Sequence, residues 1–186
     1  MELWFKKLYV TVITYIPLRS LGLCAAIAIA LSCFFLLLQK LIKKTAEFSL
    51  MRLLSFSCLF AWLFFIFDAT VLSRLGTTGI KHGINLQLFT PNPEGIFSTI
   101  ITAFYNALMF SPIPLLFTFC TKRKSAAYIS IPFCLLLAFC VEHLQYTLKV
   151  GIFELDDLMY YTLGAVLSAL ISPLLYKLVY RKKLNQ

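Results

Sequence analysis

The stretch IFSTIITAFYNALMFSPIPLLFTFC, residues 96–120, decides the fold, because it runs for 25 residues without a charged side chain. A helix rises about 1.5 Å per residue, so this segment is long enough to cross the roughly 30 Å hydrocarbon core of a bilayer. Inside lipid, the backbone polar groups need partners within the segment itself, which favours a helix. Residues 96–120 therefore predict a membrane-spanning helix.

Four further stretches share this property. Hydrophobic residues make up 60% of the 186-residue chain and charged residues only 13%, too few to cover a water-soluble domain of this size. We therefore expect an all-α, polytopic membrane helix bundle with about five transmembrane helices. The predicted spans are about residues 21–39, 51–73, 97–120, 126–148 and 156–178.

The first twenty residues fit a different membrane location. Residues 8–18 are apolar but too short to span, contain Pro17, and are flanked by Lys6, Lys7 and Arg19. A cleaved signal peptide is disfavoured, because no small-residue cleavage site follows promptly and a long span comes next. We interpret this segment as a short N-terminal interfacial helix on the outer face.

The basic residues predict the orientation of the chain. Five spans place eleven of the 17 Lys and Arg residues on one side of the membrane and six on the other. The positive-inside rule makes the richer side cytoplasmic, so the C-terminus is expected on the cytoplasmic side of the membrane. The 74–96 and 149–155 connections then face outward. Topology signals near anionic headgroups account for the net charge of +9, and we expect no nucleic acid as a partner.

All six cysteines lie within or at the end of predicted spans, and no Cys-x-x-Cys pair exists. This distribution favours packing residues over disulfides or a zinc site.

Polar residues in the last three spans predict a pocket. Four of the eight acidic residues lie between positions 142 and 157, and an intramembrane carboxylate is costly unless it faces the bundle interior or water. We expect a pocket that opens outward beneath the 74–96 loop. Its walls would be Asn106, Glu142, Gln145 and Tyr161, with Glu154, Asp156 and Asp157 at the mouth. The alternative is that these groups only hydrogen-bond the helices together.

Gly164 and Ser168 form a small-xxx-small pair in the fifth span. Such pairs allow two helices to approach closely, and we expect spans four and five to meet there.

Four short motifs resemble the VanZ-like family of small bacterial membrane proteins. They are Asn85-Leu86-x-x-Phe89, Asn106-x-x-x-Phe110-x-Pro112, Glu142-x-x-Gln145 before Gly151, and Glu154-x-x-Asp157 before Gly164. The chain departs from the family pattern at Leu88, Pro114, Glu154 and Tyr161, where proline, glycine, aspartate and asparagine are usual. The resemblance implies a VanZ-like four-helix domain over residues 51–178, an added anchor over 1–50 and a basic tail over 179–186.

The family takes its name from an accessory determinant of teicoplanin resistance, so the resemblance implies a role in the cell envelope. Our first hypothesis is a non-enzymatic protein whose pocket binds a lipid headgroup, a lipid-linked cell-wall precursor or a glycopeptide-type amphiphile.

A membrane enzyme is the second hypothesis. Its acid/base would be Glu142, and a divalent cation would be held by Glu154, Asp156 and Asp157. The third hypothesis is a small transporter or flippase, although only span three is visibly broken.

Overall fold

The computed structural model describes residues 18–43, 50–77, 79, 81–91 and 95–181. Its helices are α1 (Leu18–Lys43), α2 (Leu50–Thr70), α3 (Ile96–Phe110), α4 (Pro112–Thr121), α5 (Ala126–Thr147) and α6 (Leu155–Arg181). The expected interfacial helix lies outside the described residues except for residue 18, and so do residues 182–186 of the basic tail.

The all-α membrane bundle is confirmed. Among the described residues, four helical segments are long and apolar enough to cross a membrane: Leu50–Arg74, Ile96–Thr121, Ala126–Thr147 and Leu155–Val179. A shorter apolar stretch, Ile27–Leu37, lies within α1. The third predicted span is the pair α3 and α4, which Pro112 divides.

The carbonyl that loses its helical donor at the proline break is hydrogen-bonded within the chain. Pro112 has no N–H to donate to the Leu108 carbonyl, four residues earlier in the helix. The Ser111 hydroxyl donates to that carbonyl instead, at 3.0 Å. The carbonyl freed at Leu108 is therefore bonded within the chain and does not need a water-filled cavity.

The chain divides into two compact units, Met1–Ser73 and Arg74–Gln186. In the first unit, α1 packs against α2, with the Phe35 and Phe56 ring centroids 4.9 Å apart. In the second unit, α6 packs against α3, α4 and α5. The domain boundary expected after residue 50 stays a prediction.

The close helix approach at Gly164 exists, but its partner differs from the expected one. A Cβ atom at Gly164 would lie 1.9 Å from the Ala107 carbonyl oxygen, so the backbone of α3 occupies the space that a side chain would need. We expected α5 at this position, and that expectation was wrong. The small residue signals a close neighbour, whereas the identity of the neighbour depends on how the helices are arranged around α6.

One end of the second unit carries a small sheet. Strand β1 (Gly83–Asn85) pairs in parallel with β2 (Ile152–Glu154), and Asn85 lies opposite Glu154. We call this region the cavity end; it comprises the start of α3, the end of α5 and the start of α6. The sequence indicated only turn-rich connections here, because a three-residue pairing between distant segments leaves no local pattern.

The end of α5 directs the chain into β2. Lys149 adopts a left-handed conformation with φ 56°, the Val150 N–H donates to the Gln145 carbonyl, and the Lys149 N–H donates to the Tyr146 carbonyl. These two bonds form a Schellman motif, which satisfies carbonyls at the helix end. Lys149 thus terminates α5 and is exposed to solvent.

Candidate functional site

Glu142 lies in α5 and is 0% exposed. Its Oε2 accepts a hydrogen bond of 3.0 Å from the backbone N–H of Glu154, at the end of β2. Its Oε1 is buried and has no hydrogen-bond partner among the residues that the structure describes. A buried acceptor without a donor is unusual in native proteins and marks a strained or functional position. Glu142 therefore couples β2 to α5 and retains one unused acceptor.

Asn106 and Asp157 connect α3 to α6. The Asn106 side-chain amide donates to Oδ1 of Asp157. Through this bond, Asn106 of α3 belongs to the same polar cluster as Asp157 of α6. Beside this pair, the Tyr161 ring packs on Phe110 with centroids 4.4 Å apart, and Tyr161 is buried.

Asp156 holds the loop that follows β1. Its two carboxylate oxygens accept hydrogen bonds from the Phe89 N–H at 2.7 Å and the Thr90 N–H at 2.9 Å. Phe89 has φ 58°, the left-handed conformation that turns both N–H groups toward the carboxylate. Asn85 supports the same loop, since its side chain accepts the Gln87 N–H and donates to the Thr90 hydroxyl. The polar and backbone groups of the Asn85–Phe89 motif thus fix a loop on the first turn of α6.

A cavity of about 140 Å³ lies between this loop, α3 and α6. Three carboxylates line it, together with hydroxyl-bearing side chains and one proline. The lining residues are Thr90, Pro91, Thr99, Thr102, Glu154, Asp156, Asp157 and Tyr160.

The structure revises which residues form the walls of the cavity. Glu154, Asp156 and Asp157, expected at the mouth, line it directly. The expected wall residues Asn106, Glu142, Gln145 and Tyr161 are buried and are not among its lining residues. Asn106 and Glu142 still connect with the cavity, through the Asp157 side chain and the Glu154 backbone. The buried network therefore positions the groups that face the cavity.

Sequence reasoning missed Arg74, which was treated as a topology charge. Arg74 interacts electrostatically with Glu142, Asp157 and Tyr161. Its Nη1 lies 3.3 Å from the position of a Cβ on Gly151, and Gln145 Oε1 lies 3.0 Å from the same point. A side chain at position 151 would therefore require these two side chains to move by a few tenths of an ångström.

The cavity-lining threonines were also missed. Thr99, Thr102 and Asn106 follow each other at intervals of three and four residues, which places them on one face of α3. Tyr160 follows Asp157 by three residues on α6 in the same way. The helical spacing was a signal that could have found them, once Asn106 and Asp157 were chosen as site residues.

The cavity end is electronegative. Glu142, Glu154, Asp156 and Asp157 contribute four carboxylates, and Arg74 interacts electrostatically with Glu142 and Asp157. Carboxylates only accept hydrogen bonds when ionised, so the cavity offers acceptors to a ligand that brings donors or positive charge.

The residues that the structure describes do not assemble the metal site that the enzyme hypothesis would need. No group of three or more His, Cys, Asp or Glu side chains among the described residues is placed to hold a metal ion. Asp156 explains part of this result, because both of its oxygens already accept backbone N–H groups. Asp157 is also engaged, because its Oδ1 accepts the Asn106 side-chain amide, and Glu154 lies outside α6, at the end of β2.

The four apolar helices of membrane length among the described residues define a multi-pass membrane protein. A family model described as VanZ/LLP1 matches residues 50–176, about two thirds of the chain. The chain belongs to the VanZ/LLP1 family, and the resemblance seen in its motifs is confirmed. Neither the curated proteins nor the solved structures contain a significant match.

Proposed function

We propose that this protein is a non-enzymatic cell-envelope protein whose acidic cavity binds the headgroup of a membrane amphiphile through an ammonium group. The observation that carries the proposal is the cavity between the loop, α3 and α6, with Glu154, Asp156 and Asp157 in its lining. In the proposed orientation the cavity opens on the outer side of a bacterial inner membrane, following the distribution of Lys and Arg.

Cavity size supports a headgroup as the ligand. Pockets that enclose whole small molecules measure about 300–1,000 Å³. A volume of about 140 Å³ is too small for an entire amphiphile but sufficient for a terminal polar group. The remainder of the molecule would stay in the bilayer.

Cavity charge supports an ammonium group. Carboxylates disfavour a bare phosphate by like-charge repulsion and favour a cation with N–H donors. An amine on a phospholipid, on a lipid-linked cell-wall precursor or on a glycopeptide-type amphiphile fits this chemistry. The third class links the cavity to an accessory role in antibiotic tolerance, which the family resemblance implies.

A lipid-retention experiment tests the proposal. Purified protein is delipidated, exchanged into mixed micelles with equal amounts of three phospholipids that carry the same acyl chains, and examined by native mass spectrometry. Phosphatidylethanolamine has a primary ammonium, phosphatidylcholine a quaternary one without N–H donors, and phosphatidylglycerol no cation. We expect retention to fall in that order.

Two variants make the experiment specific. Glu154→Gln removes a cavity charge but keeps the backbone N–H that Glu142 accepts, and it should abolish the preference for phosphatidylethanolamine. Asp68→Asn is the matched control, because Asp68 is a carboxylate near the end of α2 that does not line the cavity. Equal retention of phosphatidylglycerol, or an unchanged preference in Glu154→Gln, would refute the proposal.

A membrane enzyme with Glu142 as its acid/base is a second candidate. It is favoured by the unpartnered Oε1 of Glu142, a proton acceptor within the bundle. It ranks second because Glu142 is not among the residues that line the cavity. Conversion of a reconstituted lipid that is lost in Glu142→Gln would support it.

A further inference from the structure

Residues 83–91, which we call the 83–91 loop, expose apolar side chains at the cavity end. Leu86 is 65% exposed, Leu88 50% and Phe89 69%, and Ile84 is also exposed. The loop contains no charged residue. Large apolar side chains exposed together on one short segment are typical of surfaces that contact a membrane, a ligand or another protein.

The loop holds these side chains in a fixed arrangement. Its backbone is bound to Asp156 by two hydrogen bonds, and β1 pairs with β2 at its start. The Asn85 and Thr90 side chains close it internally. Because the loop is tethered to Asp156 through its backbone N–H groups, its apolar side chains remain exposed, together with the side chain of Gln87.

The position of the loop indicates a membrane leaflet as its partner, and the proposed orientation makes it the outer one. Asp156 lies in the first turn of α6, whose membrane span begins at Leu155. The His82 ring stacks on Tyr146, one residue before the end of α5, with centroids 4.8 Å apart. One turn of helix measures about 5.4 Å, so the loop lies within about one turn of the end of two spans. That level corresponds to the boundary between headgroups and hydrocarbon.

We propose that the 83–91 loop inserts Leu86, Leu88 and Phe89 into the interfacial region of the outer leaflet. Thr90 and Pro91, which follow Phe89 directly, line the cavity. The insertion therefore places the cavity entrance against the bilayer, so that a headgroup enters laterally from the lipid. The lateral entry rests on the proposed function, whereas the insertion stands on the loop alone.

Fluorescence depth measurement tests the insertion. Single cysteines replace Leu86, Leu88 or Phe89 in a chain whose six native cysteines are replaced by alanine or serine. An environment-sensitive NBD label is attached, and the protein is reconstituted in plain phosphatidylcholine–phosphatidylglycerol vesicles without added ligand. Lys81→Cys is the control, because Lys81 is exposed and charged and precedes the loop.

Insertion predicts blue-shifted emission at the three loop positions and quenching by spin-labelled lipids that is several-fold stronger than at position 81. Aqueous iodide should quench position 81 more strongly. If iodide quenches the loop labels as efficiently as the control and lipid quenchers do not, the apolar surface faces water, where a protein would be its partner, and the inference is refuted.

Two provisions keep the test decisive. If the cysteine-free chain does not fold, Leu88→Trp is compared with Lys81→Trp in the native background, where Trp4 and Trp62 contribute a constant signal. Glu154→Gln should lose headgroup preference yet keep the loop inserted. Failure of insertion with intact headgroup preference, or the reverse, therefore identifies which of the two proposals is wrong.

Discussion

Adding one methyl group at Gly164 should force α3 and α6 apart. The new Cβ would lie 1.9 Å from the Ala107 carbonyl oxygen, 2.5 Å from its carbon and 2.7 Å from its Cα. Ordinary contacts begin near 3.4 Å, so one backbone has to move by about 1.5 Å. Overpacking usually costs about 1–3 kcal/mol, and a clash with rigid main chain belongs at the upper end. Alanine recovers about 1 kcal/mol of helix propensity relative to glycine. We expect Gly164→Ala to lower the free energy of unfolding by about 2 kcal/mol and Gly164→Leu by more.

The assay is reversible unfolding of the purified protein in detergent, or steric trapping in bicelles. Leu170→Ala is the control, because Leu170 is an exposed apolar residue on the same helix and its truncation should change stability by about 0.5 kcal/mol or less. A second variant tests the mechanism: Ala107→Gly should restore little stability to Gly164→Ala, since the clashing atoms belong to the backbone. If Gly164→Ala unfolds within about 0.5 kcal/mol of wild type, the two helices are not as close as the structure places them.

Three further predictions concern the cavity end and the topology. Glu142→Gln should keep the fold, because the amide oxygen still accepts the N–H of Glu154, but it should weaken headgroup retention. A stable variant with wild-type retention would show that Glu142 is not part of the site. Asp156→Ala should increase hydrogen exchange of the 83–91 loop while α5 stays protected. The reason is the loss of two hydrogen bonds to a charged acceptor, worth about 1.5–3 kcal/mol each. Unchanged exchange would contradict the tethering role of Asp156. In intact cells, an impermeant thiol reagent should label Lys81→Cys and spare Arg123→Cys, and the opposite result would reverse the proposed orientation.

The membrane architecture was readable from the sequence because it depends on local composition. An uncharged run such as residues 96–120 has few alternatives to a spanning helix, whatever its neighbours are. Glu142 and Asp157 were likewise detectable, since a carboxylate inside a span is expensive enough to stand out. The motifs around Asn106 and Gln145 were sufficient to indicate the family that the comparison then confirmed.

Contacts between distant segments were decided only by the tertiary structure. Gly164 indicated that another helix approaches α6 closely, but only the arrangement of helices around α6 shows that this helix is α3. Asn106 and Glu142 were expected in the walls of one pocket, but only the fold shows that Asn106 bonds Asp157 and that the donor to Glu142 is a backbone N–H of β2. Arg74 looked like a topology charge until the fold placed it among the carboxylates. Spacing along a helix fixes which residues share a face, whereas the partner of that face depends on non-local packing, and no local pattern in the chain encodes it.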